Sequence, residues 1–288
     1  VRNFVLAGQA GAGKTSLSDL ILFKGGAVSR QGSVDAGTSV SDFRKEEQEK
    51  KSSIYSAILN TPWKDGHFFF VDTPGATDFC GDALDAISEA DCLVLVVDAS
   101  QGIEAQTLAN CYLAVDHGLE ILPVVNKIDL PAADPERVCH EIEDVIGIPA
   151  MDAPRISAKN GVNIHEVLER IVSDFPAPQG DPEAPLQALI FDSVYDSYRG
   201  VIVYLRVMQG TLRPGMTVRM MSTGAQFGVV ECGVMGATNL VPRESIAAGE
   251  VGYFTASIKT VAAAPSPAMM LMGLRPKMKE MMMMPQMQ

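Results

Sequence analysis

The stretch GQAGAGKT, residues 8–15, decides the fold of this chain. It has the spacing G-x-x-x-x-G-K-[ST] and lies between a predicted strand at 4–7 and a predicted helix at 14–23, which is the context that a phosphate-binding loop requires. Glycines in such a loop let backbone N–H groups surround the phosphates, and the helix N-terminus adds a favourable dipole. A chance glycine-rich turn is the alternative, and the position of the motif argues against it.

The residue types of this loop predict its chemistry. We expect the Lys14 ammonium to reach the β- and γ-phosphates and to act in catalysis, and the Thr15 hydroxyl to ligate Mg²⁺. The motif predicts a phosphate ligand but does not by itself identify the nucleotide. The residues expected to contact the nucleotide here are Gly11, Ala12, Gly13, Lys14, Thr15 and Ser16.

Two later loops predict the base. NKID, residues 126–129, follows a predicted buried strand, at the edge where such sheets bind ligands. Guanine presents two N–H donors that the Asp129 carboxylate can accept together, whereas adenine would leave Asp129 unpaired. We expect Lys127 to lie along the base and Asn126 to tie this loop to the phosphate loop. The SAK sequence, which is Ser157, Ala158 and Lys159, can offer a backbone N–H to the guanine oxygen.

The DTPG sequence, residues 72–75, completes the set. We expect Asp72 to hold Mg²⁺ through water and the Gly75 N–H to respond to the γ-phosphate, as switch loops do. A Pro-Gly turn after a strand is the alternative. Four motifs in this order, each at the end of a predicted strand, predict a site for guanine nucleotide (GTP or GDP) and Mg²⁺.

The first 174 residues alternate between short apolar strands and helical stretches. Continuous apolar strands between helices are typical of an α/β domain with a doubly wound, mostly parallel sheet. The predicted strands are 4–7, 67–72, 92–98, 120–126 and 154–157, and the predicted helices are 14–23, 80–90, 104–117, 135–146 and 163–173. We therefore expect a nucleotide-binding domain over residues 1–174.

The pattern changes after this domain. Residues 175–185 contain four prolines and predict a semi-rigid linker. Residues 186–262 alternate with period two and turn at Pro214-Gly215, which predicts a hairpin and a small β-barrel. The tail, residues 263–288, is rich in methionine, since nine of the 15 methionines lie in the last 20 residues. A disordered or collapsed tail, a helix that binds apolar partners, and a misassembled end of a longer coding sequence are the alternatives here.

Composition limits the classes of partner. The net charge of −12 provides no general basic surface, so we expect no DNA partner, and any RNA contact must use a local patch, shape or a protein partner. The five cysteines form no CxxC pair and the four histidines have no ligand spacing, which predicts no structural zinc. We see no signal peptide and no apolar run of membrane-spanning length. We expect a cytoplasmic monomer.

These motifs resemble those of translational GTPases of the elongation-factor class. Residues 99–262 resemble elongation factor 4 (LepA), on the stretches ASQGIEAQTLANCYLAVDHGLEILPVVNKIDLPAADPERV and APLQALIFDSVYDSYRGVIVYLRV. Residues 1–98 resemble an EF-G-type factor, on GAGKTSLSDLILFKGGAVSRQGSV and VSDFRKEEQEKKSSIYSAI. The resemblance implies a P-loop GTPase domain, a β-barrel of the EF-Tu domain-two kind, complete or incomplete, and the ribosome as partner.

The chain departs from this family at several positions. Gly11 stands where the family usually has Asp, and the family's Arg-Gly-Ile-Thr aligns with residues 50–53, so the resemblance makes Ser53 a Mg²⁺ ligand. The histidine that orients the attacking water is replaced by Ala76, and a methyl group cannot hold a water. The family also continues through further domains, and here the tail stands in place of the barrel's closing strand. We therefore expect an exposed strand edge there.

Three hypotheses follow. The chain is a GTPase that is slow alone and stimulated by the ribosome, with Lys14, Gly75 and Ala76 at the reaction centre. Alternatively it is a GTP switch that does not hydrolyse, or a truncated or hybrid relic of a translational GTPase. Loss of one group that positions the attacking water typically lowers the rate of hydrolysis about 10²–10⁴-fold. We therefore expect GTP binding to be better preserved than GTP hydrolysis. Thr77 and Asp78 are weak candidates for placing the water in another way.

Overall fold

The computed structural model describes residues 1–76, 86–87, 90–196, 198–221, 224–236 and 239–256, and the backbone of 282–285. The chain divides into two compact units, Val1–Pro176 and Ala177–Gln288. Most of the predicted helix at 80–90, together with Thr77 and Asp78, lies outside the described residues.

The first unit is built on a five-stranded sheet. Its strands are β1 (Arg2–Ala7), β2 (Ala57–Trp63), β3 (Gly66–Asp72), β4 (Cys92–Asp98) and β5 (Glu120–Asn126). Their order in the sheet is β2-β3-β1-β4-β5, with β2 antiparallel to β3 and the other neighbours parallel. The predicted mostly parallel sheet is therefore confirmed.

Helices cover both faces of this sheet. They are α1 (Lys14–Lys24), α3 (Ala105–Asp116), α4 (Pro135–Ile146) and α5 (Ile164–Asp174), while the short helix α2 (Lys45–Lys50) lies between α1 and β2 in the sequence. Successive side chains of β1 point to opposite faces, as the pleat of a strand requires. Phe4 and Leu6 therefore pack in a core with residues of α1 and α5, while Val5 and Ala7 pack in a second core with residues of α3 and α4. Two apolar layers on one sheet make the predicted doubly wound fold.

Some elements differ from the prediction. Residues 154–157 form no strand, although Arg155 makes an isolated parallel bridge to Val125 beside β5. The antiparallel edge strand β2 was not predicted, because AILNTPW has neither a continuous apolar run nor a clean alternation and contains Pro62. The short helix α2 was also missed, because its sequence KEEQEK carries no apolar period.

The second unit consists of a seven-stranded and a two-stranded antiparallel sheet among the described residues. Its strands are β6 (Gln187–Asp196), β7 (Gly200–Gln209), β8 (Thr211–Leu212), β9 (Thr217–Met220), β10 (Gln226–Met235), β11 (Leu240–Arg243), β12 (Ile246–Ala247), β13 (Val251–Ala256) and β14 (Met282–Pro285). The predicted hairpin at Pro214-Gly215 is wrong, because β8 pairs with β12 and β9 pairs with β10. β6 and β7 form the hairpin that leads into the sheet, and their apolar side chains join one core.

The main sheet curls into a closed ring. Its order is β11-β10-β13-β7-β6-β14-β9, and β9 also pairs with β10. The backbone of β14 pairs with Leu189 and Ala188 on β6 and with Met220, Arg219 and Val218 on β9. The exposed edge that we expected at this point is therefore wrong, because part of the methionine-rich tail fills the gap as a strand. A barrel-like domain is confirmed.

Asp134 caps α4, and this cap can be tested. Its side-chain carboxylate accepts a hydrogen bond from the Arg137 N–H at 3.0 Å, and Pro135 occupies the first turn. Asp134→Ala leaves that N–H without its acceptor, so we expect the free energy of unfolding to fall by about 1 kcal/mol. Denaturant unfolding followed by the far-UV helical signal measures this. Asp144→Ala, an exposed change inside the same helix, is the control, and equal losses in the two variants would contradict the assignment.

Candidate functional site

The loop between β1 and α1 owes its shape to close approaches of its backbone. Gly8 has φ +149°, and a Cβ there would lie 2.3 Å from the carbonyl oxygen of Val96 on β4. Gly13 has φ +96°, and a Cβ there would lie 2.3 Å from Nδ2 of Asn126. A Cβ at Gly11 would meet no atom within 4 Å, so its φ of +73° is what favours glycine. A side chain would therefore clash at Gly8 and Gly13, whereas Gly11 is favoured by its backbone conformation.

Lys14 begins α1 and is buried beneath the loop. Its ammonium donates to the backbone carbonyls of Gly8 and Gln9, each at 3.0 Å. Burial lowers the pKa of Lys14 to about 8, against the opposing effect of the Asp72 and Asp42 carboxylates. The loop, the helix start and the lysine therefore have the arrangement that the motif predicts for a phosphate site. Ser16 lies half-buried in the first turn of α1.

A cluster of oxygen atoms lies beside Lys14. The Thr15 hydroxyl is 3.0 Å from the Ser53 hydroxyl, so residues 50–53 meet the phosphate loop at the residue that the family resemblance indicates. Asp72, at the end of β3, is 1% exposed, and its Oδ2 lies 3.1 Å from the Ser18 hydroxyl. Burial raises the pKa of Asp72 to about 6, although Lys14 and the nearby hydroxyls oppose this. The three predicted metal ligands Thr15, Ser53 and Asp72 are therefore neighbours.

This cluster suits Mg²⁺ in its chemistry. Mg²⁺ prefers carboxylate and hydroxyl oxygen, and it usually takes only one or two protein carboxylates. The Oδ1 atom of Asp72 is buried and has no hydrogen-bond partner among the described residues. A buried carboxylate oxygen without a donor is costly unless a cation or water reaches it. The residues present therefore fit the predicted ion.

The loop after β3 packs directly on the phosphate loop. The Thr73 hydroxyl donates to the Leu6 carbonyl at 2.7 Å, which fixes the start of this loop to β1. A Cβ at Gly75 would lie 2.3 Å from the Lys14 ammonium and 2.7 Å from the Ala10 nitrogen, so only glycine allows this approach. Ala76 follows, half-buried, with a methyl side chain.

Asn126 joins three loops. Its Nδ2 donates to the Ala12 carbonyl at 2.8 Å, and its Oδ1 accepts from the Ala158 N–H at 2.9 Å. The side chain is 2% exposed, so water does not compete with these bonds. The phosphate loop, the NKID loop and the SAK loop are thereby fixed to one another, although they are far apart in sequence.

The other predicted base-contacting residues lie around Asn126. Lys127 has φ +65°, and its ammonium pairs with Asp98 Oδ2 at 2.7 Å. Burial by itself would raise the pKa of Asp98, but Lys127 and Ser100 lower it below its ordinary value. Asp129 is exposed, and its Oδ1 accepts from the Ser157 hydroxyl at 2.6 Å. Lys159 is exposed at the end of this group.

Several polar residues at the site were not predicted. Asp19 on α1 is fully buried, and its Oδ1 accepts from the Val40 N–H at 2.9 Å. Glu47 on α2 is 1% exposed, and its carboxylate accepts from the N–H groups of Ile54 and Tyr55. Asp19 thus fixes residue 40 to α1, and Glu47 fixes α2 to the residues just before β2. The spacing of Ser18, three residues after Thr15, places it on the same helix face and could have indicated it.

The described residues lack two further features. They contain no group of three or more histidine, cysteine, aspartate or glutamate side chains that could hold a metal ion. Among the same residues, no helix combines the length and apolar character needed to span a bilayer.

Comparison with known proteins agrees with this geometry. The profile of the family described as the elongation factor Tu GTP binding domain matches residues 1–177. Elongation factor 4 from Lachnospira eligens is 51% identical over 266 residues, which cover 91% of this chain and 44% of that protein. Elongation factor 4 from Acetivibrio thermocellus is 50% identical over 266 residues, which also cover 91% of this chain and 44% of that protein. Because the matches cover 91% of the chain, they also extend into the first 98 residues, where we noted resemblance to EF-G-type factors.

Solved structures share the fold. A protein from Thermus thermophilus superposes with a TM-score of 0.75 at 19% identity, covering all of this chain and 54% of that one. A bacterial selenocysteine-specific elongation factor, EF-Sec, superposes with a TM-score of 0.70 at 21% identity, covering 88% of this chain and 42% of that one. The chain spans less than half the length of the curated relatives that it matches.

The buried Asp19 makes stability depend on pH. Burial raises its pKa from 3.8 to about 6, against the opposing hydrogen bonds from Val40 and Ser39. The folded protein therefore holds this proton more tightly than the unfolded chain, and the free energy of unfolding falls as pH rises from about 4 to about 6. Asp19→Asn removes this contribution. Over the same pH range, we therefore expect the free energy of unfolding to fall less in this variant than in the parent, by on the order of 1 kcal/mol. Denaturant unfolding at several pH values measures this.

The control for this measurement is Asp35→Asn, which changes an exposed carboxyl of the same segment. It should keep the pH dependence of the parent chain. If Asp19→Asn shows the same dependence as the parent, the buried Asp19 carboxyl is not responsible for it.

Proposed function

This chain belongs to the family of the elongation factor Tu GTP-binding domain, and from this membership we propose that it binds GTP and GDP with Mg²⁺ and slowly hydrolyses GTP on the ribosome. The observation that carries the proposal is the Asn126 side chain, which fixes the phosphate loop, the NKID loop and the SAK loop to one another. The relatives named elongation factor 4 support a role in translation, and we propose the cytoplasm as the place of this role. The domain limits we propose are 1–174, 186–262 and a tail at 263–288, with a linker at 175–185.

Base recognition is assigned to Asp129. Its carboxylate is exposed and held through one oxygen by the buried Ser157 hydroxyl, so the group is oriented before the base arrives. In this orientation it accepts the two N–H groups of guanine, which adenine cannot supply. Lys127, fixed at its ammonium by Asp98, lays its aliphatic stem along the base. The Ala158 N–H already donates to Asn126, so the Lys159 N–H is the group of this loop that we assign to the guanine oxygen.

Phosphate binding is assigned to the glycine loop and Lys14. The ammonium must exchange the carbonyls of Gly8 and Gln9 for phosphate oxygens, which carry full charge and are the stronger acceptors. Thr15, Ser53 and Asp72 would hold Mg²⁺, which neutralises charge on the β- and γ-phosphates when bound. The Gly75 N–H, packed against the loop, would report the γ-phosphate.

Hydrolysis should be slow, because nothing at position 76 positions water. Lys14 and the phosphate loop stabilise charge, but an alanine methyl can neither accept a proton nor orient a nucleophile. A GTP switch that binds without hydrolysis is therefore the second candidate, and Ala76 is the observation that favours it.

The base assignment can be tested with Asp129→Asn. An amide cannot accept both guanine N–H groups, so we expect GTP affinity to fall by a factor on the order of 10² or more, while xanthosine triphosphate is bound better than by the parent. Fluorescent-nucleotide titration measures both affinities. Asp116→Asn, an exposed change on α3, should leave both unchanged. Equal GTP affinity in Asp129→Asn and the parent would refute this site.

Hydrolysis is tested by single-turnover assays with and without ribosomes, after GTP binding has been measured. We expect slow turnover in the parent and a rise of about 10²-fold or more in Ala76→His, because an imidazole restores the missing group. Faster GTP hydrolysis by the parent in the presence of ribosomes would support the proposal that the chain is a GTPase. Binding with no turnover in either condition would favour the switch.

A further inference from the structure

Asp98 is a buried carboxylate that the motifs do not include. It ends β4 and is 3% exposed. Its Oδ1 accepts from the Ser100 N–H at 2.8 Å and from the Ser100 hydroxyl at 2.6 Å, and its Oδ2 pairs with the Lys127 ammonium at 2.7 Å. One oxygen of the carboxylate is therefore fixed by a neighbouring turn, while the other holds a charged side chain of the NKID loop.

The register of the sheet places Asp98 beside the NKID loop. Asp98 is the parallel partner of Asn126 on β5, and the Ala99 N–H donates to the Asn126 carbonyl at 2.8 Å. Lys127 follows Asn126 directly, so it lies where these two neighbouring strands end. The contact between Asp98 and Lys127 therefore follows from strand pairing in the core of the first unit.

The turn that follows Asp98 is also held in place. The Gly102 N–H donates to the Asp98 carbonyl at 2.8 Å, which closes the turn onto its own strand. The Ile103 N–H donates to the carboxylate of Glu141 on α4 at 3.3 Å. Ser100 lies between these two attachments, so its hydroxyl is kept in position against the Asp98 carboxylate.

Lys127 is a side chain that needs such a partner. Its backbone has φ +65°, a conformation that residues with a side chain rarely adopt, and its side chain is 31% exposed. A lysine has a long, flexible stem, so without a partner its ammonium would move freely in solvent. Although burial raises the pKa of Asp98, Lys127 and Ser100 lower it below its ordinary value, so the carboxylate is charged at neutral pH. The ion pair therefore orders the Lys127 stem.

We propose that Asp98 is a positioning residue that sets how firmly the base is held, whereas Asp129 sets which base is accepted. This inference rests on the proposed binding of guanine nucleotide. Asp98 acts only through Lys127, whose stem lies along the flat face of the base, and every purine has such a face. Asp129 meets the edge of the base, where the purines differ in their N–H groups. The two carboxylates therefore have roles that can be measured separately.

The test compares three ligands in Asp98→Asn by competition with a fluorescent GDP. The amide keeps the shape of the carboxylate and removes the charge that holds Lys127. We expect the Kd values for GDP and for inosine diphosphate, which lacks the exocyclic amine of guanine, to rise by the same factor of about ten. The Kd for tripolyphosphate, which has no base, should stay that of the parent. Asp116→Asn, an exposed change on α3, should leave all three values unchanged.

A second pair of variants separates this role from a general effect on the fold. Lys127→Met keeps an aliphatic stem but leaves the buried Asp98 carboxylate without its counter-charge, so we expect weaker GDP binding and a lower free energy of unfolding. Adding Asp98→Asn to Lys127→Met should cause no further loss of GDP affinity and should restore part of the stability. A further loss of GDP affinity in the double variant would overturn the inference. This comparison decides the question even if Asp98→Asn alone does not fold.

The outcomes separate the two proposals. If the parent binds GDP and Asp98→Asn binds it equally well, the role of Asp98 is wrong and the proposed function stands. Unequal losses for GDP and inosine diphosphate, or weaker binding of tripolyphosphate, would also overturn the role of Asp98, because the effect would then reach beyond the Lys127 stem. If the parent does not bind GDP, both proposals fall. Equal losses for the two nucleotides with unchanged tripolyphosphate binding support both.

Discussion

The two hydrogen bonds of the Asn126 side chain are the constraint on which the site depends. A single buried amide uses its donor on Ala12 and its acceptor on Ala158, so it fixes loops from three regions of the sequence in one geometry. Glycine at position 13 is needed because a side chain there would occupy the place of that amide. The position of Gly75 over Lys14 depends on the same phosphate loop. The buried hydrogen bonds of Asn126 therefore set the spacing of the loops that would contact a bound nucleotide.

The sequence predicted the parts of the site that local chemistry determines. The phosphate loop, NKID, SAK and DTPG each lie at the end of a strand or bridge, and parallel strands bring these ends to one edge of the sheet. Asp19 and Glu47 could not be found in this way. They lie in or contact a segment without apolar period, and their importance comes from burial that only the folded chain creates. The antiparallel strand β2 was missed for the same reason, since its pairing with β3 and not its own pattern defines it.

The second unit shows how pairing can override composition. A methionine-rich tail gave no strand pattern, and its alternation could not be read from repeated identical residues. The backbone at Met282–Pro285 nevertheless bridges β6 and β9, because those two strands offer facing rows of unpaired N–H and C=O groups. Local sequence decides little where a gap between two strands fixes both the place and the direction of the segment that fills it.

Because β14 closes the ring, the two units complete their sheets at different stages of synthesis. Among the described residues of the first unit, every strand is complete once Asn126 has been made, and the last helix ends at Asp174. The ring of the second unit starts with β6 and closes only with β14, so β6 keeps one open side until Met282–Pro285 have been added. Long-range pairing of this kind is slow and leaves strand edges available to other chains. While it is being synthesised, the barrel, rather than the nucleotide-binding unit, is thus the part of the chain most open to aggregation.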